Sequence, residues 1–275
     1  LRMSRGLGDV YKRQVNQYES EAIAELFAEK GYEIVGIDEE ADVYVINTCT
    51  VTNFGDKKSR QLIRKVKRQN ENAIVAVVGC YAQTAPKELM EIAGVNLVIG
   101  TKDRAQIVEM VEQYDRANGV ENHVSDIMKE RVFEPLSIQK LANRTRAYLK
   151  IQDGCSQYCS YCIIPYARGP IRSREPQKVV AEVKRLAENG FKEVVLTGIH
   201  VASYGKDRRD TSLLDILKQV HEVEGIERIR FSSIEPNVVT EEFAQTMAAL
   251  PKVCDHFHLS LQSGCDKTCL LYTSP

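Results

Sequence analysis

The sequence predicts an α/β protein: a doubly wound parallel sheet followed by a partial (β/α) barrel, truncated at its C-terminal end. Two continuous apolar runs, VYVIN (43–47) and IVAVVG (74–79), carry the first half of that reading. Strands buried on both faces read this way, and helical segments between them make the sheet parallel. The second half rests on four further strand–helix alternations after about residue 145, the arrangement of a barrel.

In order, residues 17–30 place Ile23, Leu26 and Phe27 at helical spacing, with Gly31 as the expected C-cap. Strand 43–47, basic helix 54–68 and strand 74–79 follow. Helix 87–93, strand 95–100 and helix 104–114 complete the first domain, residues 15–116. Residues 117–145 are polar without a clear period and are expected to be a linker. The barrel part, 146–268, is expected to hold strands at 147–152, 193–198, 228–233 and 256–262. Its helices are expected at 178–189, 213–222 and 241–250. In HFHLSLQ (256–262), His256, His258, Ser260 and Gln262 share one face and Phe257, Leu259 and Leu261 the other. A polar inner face suits a barrel that holds a polar cofactor.

At 275 residues, 43% hydrophobic and 27% charged, the composition is that of a soluble globular protein of about two domains. No apolar run approaches the roughly 20 residues of a membrane span. The first 14 residues carry four Lys/Arg and no apolar core, unlike a secretory signal. A cytoplasmic location is expected. The net charge of −1 excludes a global field for nucleic acid, so any RNA surface is a local patch.

Eight cysteines stand at positions 49, 80, 155, 159, 162, 254, 265 and 269. Without a secretory signal, reduced thiols that bind metal are expected rather than disulfides. Cys155, Cys159 and Cys162 form C-x3-C-x2-C directly after the first barrel strand, at the end where barrel enzymes do chemistry. Three close thiolates can wrap one face of a [4Fe–4S] cube and leave one iron open. Structural zinc is the competing reading, but no fourth ligand follows at finger spacing. Cys49 and Cys80 each follow an apolar strand, where ligands of such sheets bind.

The C-x3-C-x2-C motif resembles the radical S-adenosylmethionine (SAM) superfamily. VNQYESE (15–21), INTCTVT (46–52), VVGCYAQ (77–83), GCSQYCSYCIIPYARGPIRSR (154–174), LTGIH (196–200) and HLSLQSG (258–264) narrow the resemblance. In that order they look like the radical SAM methylthiotransferase family, most of all its branch acting on N6-threonylcarbamoyladenosine in tRNA. The sister branches act on isopentenyladenosine in tRNA and on a ribosomal protein. A non-catalytic iron–sulfur or zinc module is the rival of a different class.

The resemblance implies two [4Fe–4S] clusters, SAM as cofactor, tRNA as substrate, and an electron donor and a sulfur donor as partners. Cys155, Cys159 and Cys162 would hold the radical SAM cluster, from which a 5′-deoxyadenosyl radical attacks C2 of the adenine. Cys49 and Cys80 would hold the auxiliary cluster. Thr197 and Gly198 fall where the family meets the SAM amino group, and Ser233 and Glu235 near its ribose.

The sequence departs from that pattern at both ends. Arg13 stands where the family has the third auxiliary cysteine, and residues 1–14 show no apolar strand to open the sheet. Residues 1–14 and 269–275 resemble translated adaptor sequence and are expected to be non-native. The resemblance implies further barrel strands and a C-terminal RNA-binding domain, which this sequence is expected not to include. The helix containing 56–68 carries seven Lys/Arg and is expected to be either a tRNA-phosphate surface or a solvated face. Arg168, Arg172 and Arg174 follow the cysteine loop and are expected to meet an anionic substrate or to lie on the loop surface.

Overall fold

A computed structural model describes residues 1–6, 14–49, 53–138 and 146–265. The chain divides into two compact units. The first comprises residues 1–138 with 166–169, and the second residues 139–165 with 170–275.

The first unit is a six-stranded, all-parallel sheet of order β2-β1-β3-β4-β5-β6. Its strands are β1 (Arg2–Gly6), β2 (Glu33–Val35), β3 (Val43–Thr48), β4 (Ile74–Gly79), β5 (Leu97–Ile99) and β6 (Glu121–Asn122). The helices between them are α1 (Gln14–Glu29), α2 (Asn53–Gln69), α3 (Cys80–Thr84), α4 (Pro86–Met90) and α5 (Ile107–Gln113). Side chains alternate across each strand, so the apolar runs feed two cores. Val43 and Val45 pack with Ile23, Phe27 and Ile107 on one face. Tyr44 and Ile46 pack with Ile63, Val66 and Leu89 on the other. These two cores make the sheet doubly wound, as the uninterrupted hydrophobicity of β3 and β4 predicts.

Two expectations for this unit are corrected. Residues 2–6 were expected to lack a sheet-opening strand; they form β1, between β2 and β3. Backbone pairing on both sides, rather than apolar composition, makes that segment a strand, and only Met3 contributes a large buried apolar side chain. Residues 117–138, expected as linker, pack with the first unit, because β6 adds to the edge of β5. A two-residue strand is too short to leave a period in the sequence.

The second unit holds three parallel strands in the order β10-β9-β7, with β8 antiparallel on the outside. They are β7 (Arg146–Asp153), β8 (Arg172–Ser173), β9 (Glu193–Gly198) and β10 (Arg228–Phe231). α6 (Ile164–Arg168) follows the cysteine loop, α7 (Pro176–Glu188) leads to β9, α8 (Leu213–His221) to β10, and α9 (Glu241–Ala248) follows β10. Ser212 and Thr240 cap α8 and α9 by accepting from the backbone N–H groups of Asp215 and Phe243.

The expected strand at 256–262 is also corrected. It makes only an isolated parallel bridge, Ile234 to Leu259, with hydrogen bonds from Ile234 N to His258 O and from Ser260 N to Ile234 O. Leu259 and Leu261 are 44% and 61% exposed. Alternating polarity selects a strand only when one face is buried, and here neither face is. The Phe257 ring lies 5.5 Å from that of Phe231.

Because Met3 is fully buried, Met3→Ala is expected to cost about 2–4 kcal/mol. A lowered midpoint of urea unfolding would show it. An unchanged midpoint would mean that β1 does not belong to the folded sheet.

Candidate functional site

Each unit gathers polar side chains at the carboxyl ends of its strands. In the second unit the end of β7 prepares the cysteine loop. The buried Gln152 amide nitrogen donates to the carbonyls of Asp153 (2.7 Å) and Gly154 (2.6 Å). Its oxygen accepts from the backbone N–H of His200 at 2.8 Å, which ties the start of the loop to the turn after β9. A Cβ on Gly198 would lie 2.7 Å from that oxygen, so the crossing of Gln152 demands glycine there.

Cys155, Cys159 and Cys162 all lie on this loop and are partly exposed, with Cys162 N donating to Cys159 O at 2.9 Å. Burial pushes the Cys155 thiol up; the charges of Cys162, Cys159 and Glu235 push the same way, against a backbone hydrogen bond from Gln157. Among the described residues no three His, Cys, Asp or Glu side chains are close enough to hold a single metal ion. Tetrahedral zinc, with bonds of about 2.3 Å, requires sulfurs about 3.8 Å apart. A cube takes each thiolate on a different iron, with wider spacing. Three thiols on one loop are the donor set that a cube takes, one on each of three irons.

Around this loop, Gln157 donates to Glu235 Oε2 at 3.0 Å and approaches His200 Nε2 at 3.2 Å. His200 Nδ1 lies 2.6 Å from Ser203 Oγ, and Ser233 Oγ lies 2.5 Å from His258 Nδ1. Glu235 is thus brought to the cysteine loop. Thr197 is buried inside β9 opposite Lys150, and Gly198 lies against Gln152. Gln152, Gln157, His200 and Ser203 were assigned no role from the sequence. The only signal for them was their nearness to strand ends.

In the first unit, Cys49 follows β3 and Cys80 follows β4, and the register pairs Thr48 with Gly79, so the two cysteines leave the sheet side by side. A strand order of 2-1-3-4-5 places its switch point between β1 and β3, where such sheets bind ligands. Gly79, at φ +98°, leaves no room for a side chain: a Cβ would lie 2.6 Å from both Asn47 Oδ1 and Thr48 O. Asn47 Oδ1, close to Gly79, is buried with no hydrogen-bond partner among the described residues. Burial pushes the Cys80 thiol up; Arg168 opposes that, and the Cys49 charge adds to it. Arg13, the expected lesion in the auxiliary site, lies outside the described residues, as does Cys269. Cys254 is partly buried and Cys265 exposed, both in the second unit.

The three arginines after the cysteine loop are neither substrate-facing nor on the surface. Arg168 is fully buried and donates to Glu19 Oε1 (2.5 Å), Glu19 Oε2 (3.0 Å), Asn16 Oδ1 (3.2 Å) and Cys80 Sγ (3.1 Å). Glu19 is also bound by Arg104 at 2.8 Å, and Arg104 in turn holds Glu134. Arg172 faces Asp153 at 3.7 Å and Arg174 pairs with Glu182. Buried guanidinium groups must be paired, and buried acids elsewhere in the chain claim all three. Several cations of the basic helix α2 are paired as well, at the surface. Arg60 binds Tyr81 and Glu88, Lys65 binds Asp38, and Lys67 donates to the carbonyls of Glu71 and Ala73. Arg64 and Arg68 remain exposed on it.

Arg168→Ala removes one of the two cations on a buried carboxylate and is expected to destabilise the first unit by about 3 kcal/mol. Adding Glu19→Ala should recover part of the loss in a denaturation double-mutant cycle. Strict additivity would show that the pair is not coupled.

Comparison with known proteins agrees with this architecture. Residues 11–100 match the uncharacterized protein family UPF0004, and residues 149–273 match the radical SAM superfamily. The threonylcarbamoyladenosine tRNA methylthiotransferase of Bacillus subtilis is 49% identical over 91% of this chain and 56% of its own length. That of Aquifex aeolicus is 41% identical over 92% of this chain and 62% of its own. The tRNA-2-methylthio-N(6)-dimethylallyladenosine synthase of Dictyoglomus thermophilum is 35% identical over 94% and 59%. The chain therefore spans less than two thirds of the curated relatives it matches. A solved radical SAM methyltransferase from Kitasatospora setae, with tryptophan and a SAM analogue bound, superimposes with a TM-score of 0.57. It covers 91% of this chain and 58% of its own at 16% identity, a likeness of fold. With both domain models matched in order and this similarity along nine tenths of its length, the chain is similar throughout to radical SAM tRNA methylthiotransferases.

Proposed function

We propose that the protein methylthiolates N6-threonylcarbamoyladenosine next to the anticodon of tRNA, giving the 2-methylthio derivative. The observation that carries this reading is the three-thiol loop at the end of β7, in one chain with the paired Cys49 and Cys80 at the ends of β3 and β4. The 49% and 41% identity to relatives named for that reaction supports it.

In this reading Cys155, Cys159 and Cys162 hold a [4Fe–4S] cluster and leave one iron open for SAM. When bound, cluster and SAM supply radical chemistry able to break an unactivated C–H bond. The chain's own part is positional. Gln152 fixes the loop to the turn after β9. Thr197 and Gly198 border the SAM amino group, and Ser233 and Glu235 its ribose. Arg64 and Arg68, exposed on α2, would be available to tRNA phosphates. An electron donor and a sulfur donor complete the system. Cys49 and Cys80 are two ligands of an auxiliary cluster, with Arg13 where a third thiol would be; a guanidinium has no lone pair to offer iron.

Three outcomes are expected. Anaerobic reconstitution should load one cube, about four iron per chain rather than about eight, and Arg13→Cys should raise that number. A full auxiliary complement with Arg13 in place would show that the site is elsewhere. Changing Cys155, Cys159 and Cys162 together to Ala should abolish release of 5′-deoxyadenosine from SAM; unchanged release would sink the cluster assignment. The substrate is read by mass spectrometry of digested tRNA from a strain lacking the gene. Loss of the methylthio group from threonylcarbamoyladenosine is expected, and loss from isopentenyladenosine instead would move the activity to the sister reaction.

A further inference from the structure

We propose that Arg146, Arg228 and Arg230, gathered on Glu193 at the amino ends of the strands of the second unit, form a site for a phosphate group, carried by an RNA backbone or by a small phosphate. The site lies away from the cysteine loop. β7 runs eight residues from Arg146 to Asp153, about 23 Å of extended chain, and the cysteines follow its far end. The site stands on its own geometry, and only its RNA source rests on the tRNA reading above.

The backbone ladder builds the cluster. The register pairs Glu193 with Arg146 on one side and with Arg228 on the other. The three side chains therefore share one face of the sheet, and Arg230, two residues beyond Arg228, shares it too. Arg146 Nε lies 2.5 Å and Arg230 Nε 3.0 Å from Glu193 Oε1, and Arg228 Nε lies 3.0 Å from Oε2. The Glu193 side chain is only 6% exposed. A buried carboxylate needs a cation, and one guanidinium meets that need. Three are present, which leaves two positive charges in surplus. Glu227, beside Arg228 in sequence, is paired with Lys192 at 3.3 Å.

Each guanidinium is anchored through Nε. The terminal nitrogens of Arg228 and Arg230 make no hydrogen bond among the described residues, and Arg146 is further held by Tyr148. The three side chains are 47%, 48% and 30% exposed. Water solvates their N–H groups but leaves the surplus charge uncancelled, and three cations around one carboxylate repel one another. An oxyanion bound across two of them removes that repulsion. The planar guanidinium fork matches phosphate oxygens. The Nε anchors fix the forks before a ligand arrives, which lowers the ordering cost of binding. In a chain of net charge −1, a polyanion can be recognised only by a local patch of this kind.

The test measures binding of inorganic phosphate by isothermal titration and of an unmodified tRNA transcript by fluorescence anisotropy. Both are measured on the anaerobically reconstituted protein and on its Arg228→Gln and Arg228→Gln/Arg230→Gln variants. Glu193 keeps Arg146 in each variant, so iron content and melting temperature are expected to hold. The unmodified protein should bind inorganic phosphate, and the double variant should bind it roughly tenfold more weakly. If RNA is the source, tRNA affinity falls in the same variants, and the slope of log affinity against log salt drops by about one for each arginine removed. Arg228→Lys, which keeps the charge but not the fork, should recover the salt slope and only part of the phosphate affinity. Weakened phosphate binding with unchanged tRNA binding would assign the site to a small phosphate. If neither ligand binds more weakly to the double variant, the proposal is overturned. Release of 5′-deoxyadenosine by the unmodified protein, measured on the same preparation, tests the radical SAM reading separately.

Discussion

Parallel pairing is the constraint on which both units depend. When strands run the same way, every return passes through a helix and every carboxyl end opens on the same side of the sheet. The register that places Thr48 beside Gly79 is therefore also what places Cys49 beside Cys80. The register of β7 with β9, broken by an irregularity between Lys150 and Gln152, brings Gln152 opposite Gly198. In each unit the backbone ladder sets where chemistry can gather before any side chain is considered.

Buried charge is the second organising feature. Glu19, Arg104 and Arg168 are fully buried in the first unit, and Glu134 extends the cluster. Such a cluster adds little net stability compared with apolar packing, but breaking it by one residue is costly. Its consequence is positional. A guanidinium six residues beyond Cys162 donates to the sulfur of Cys80, so the backbone around Cys80 is held by residues from three distant segments, near 19, 104 and 168. In the second unit buried pairs on Asp153 and Glu182 are joined by neutral groups, with Gln152 on the loop's first carbonyls.

The elements legible in the sequence were those with a strong period. The runs that became β3 and β4, and the helices that became α1, α2, α7 and α8, were read within a few residues of their ends, because each buries a complete apolar stripe or face. β1, β2, β6 and β8 were missed. Each is held by backbone pairing with a neighbour and buries few apolar side chains of its own, so nothing in composition announces it. The segment 256–262 failed in the opposite direction, since its alternation was present but its burial was not.

The sequence by itself determined the α/β class, the C-x3-C-x2-C loop and the placement of Cys49 and Cys80 after buried strands. All of these are local, written in spacing and periodicity that need no partner to be read. Only the tertiary structure decided what the charges do. Arg168, Arg172 and Arg174 read as available cations in the sequence, yet they are buried against Glu19, Asp153 and Glu182, while Arg60 and Lys65 of the basic helix stay partly exposed in pairs with Glu88 and Asp38. A charged side chain is either a solvated surface group or a buried paired one. Which it becomes depends on whether folding delivers an opposite charge from elsewhere in the chain, and no local pattern contains that information.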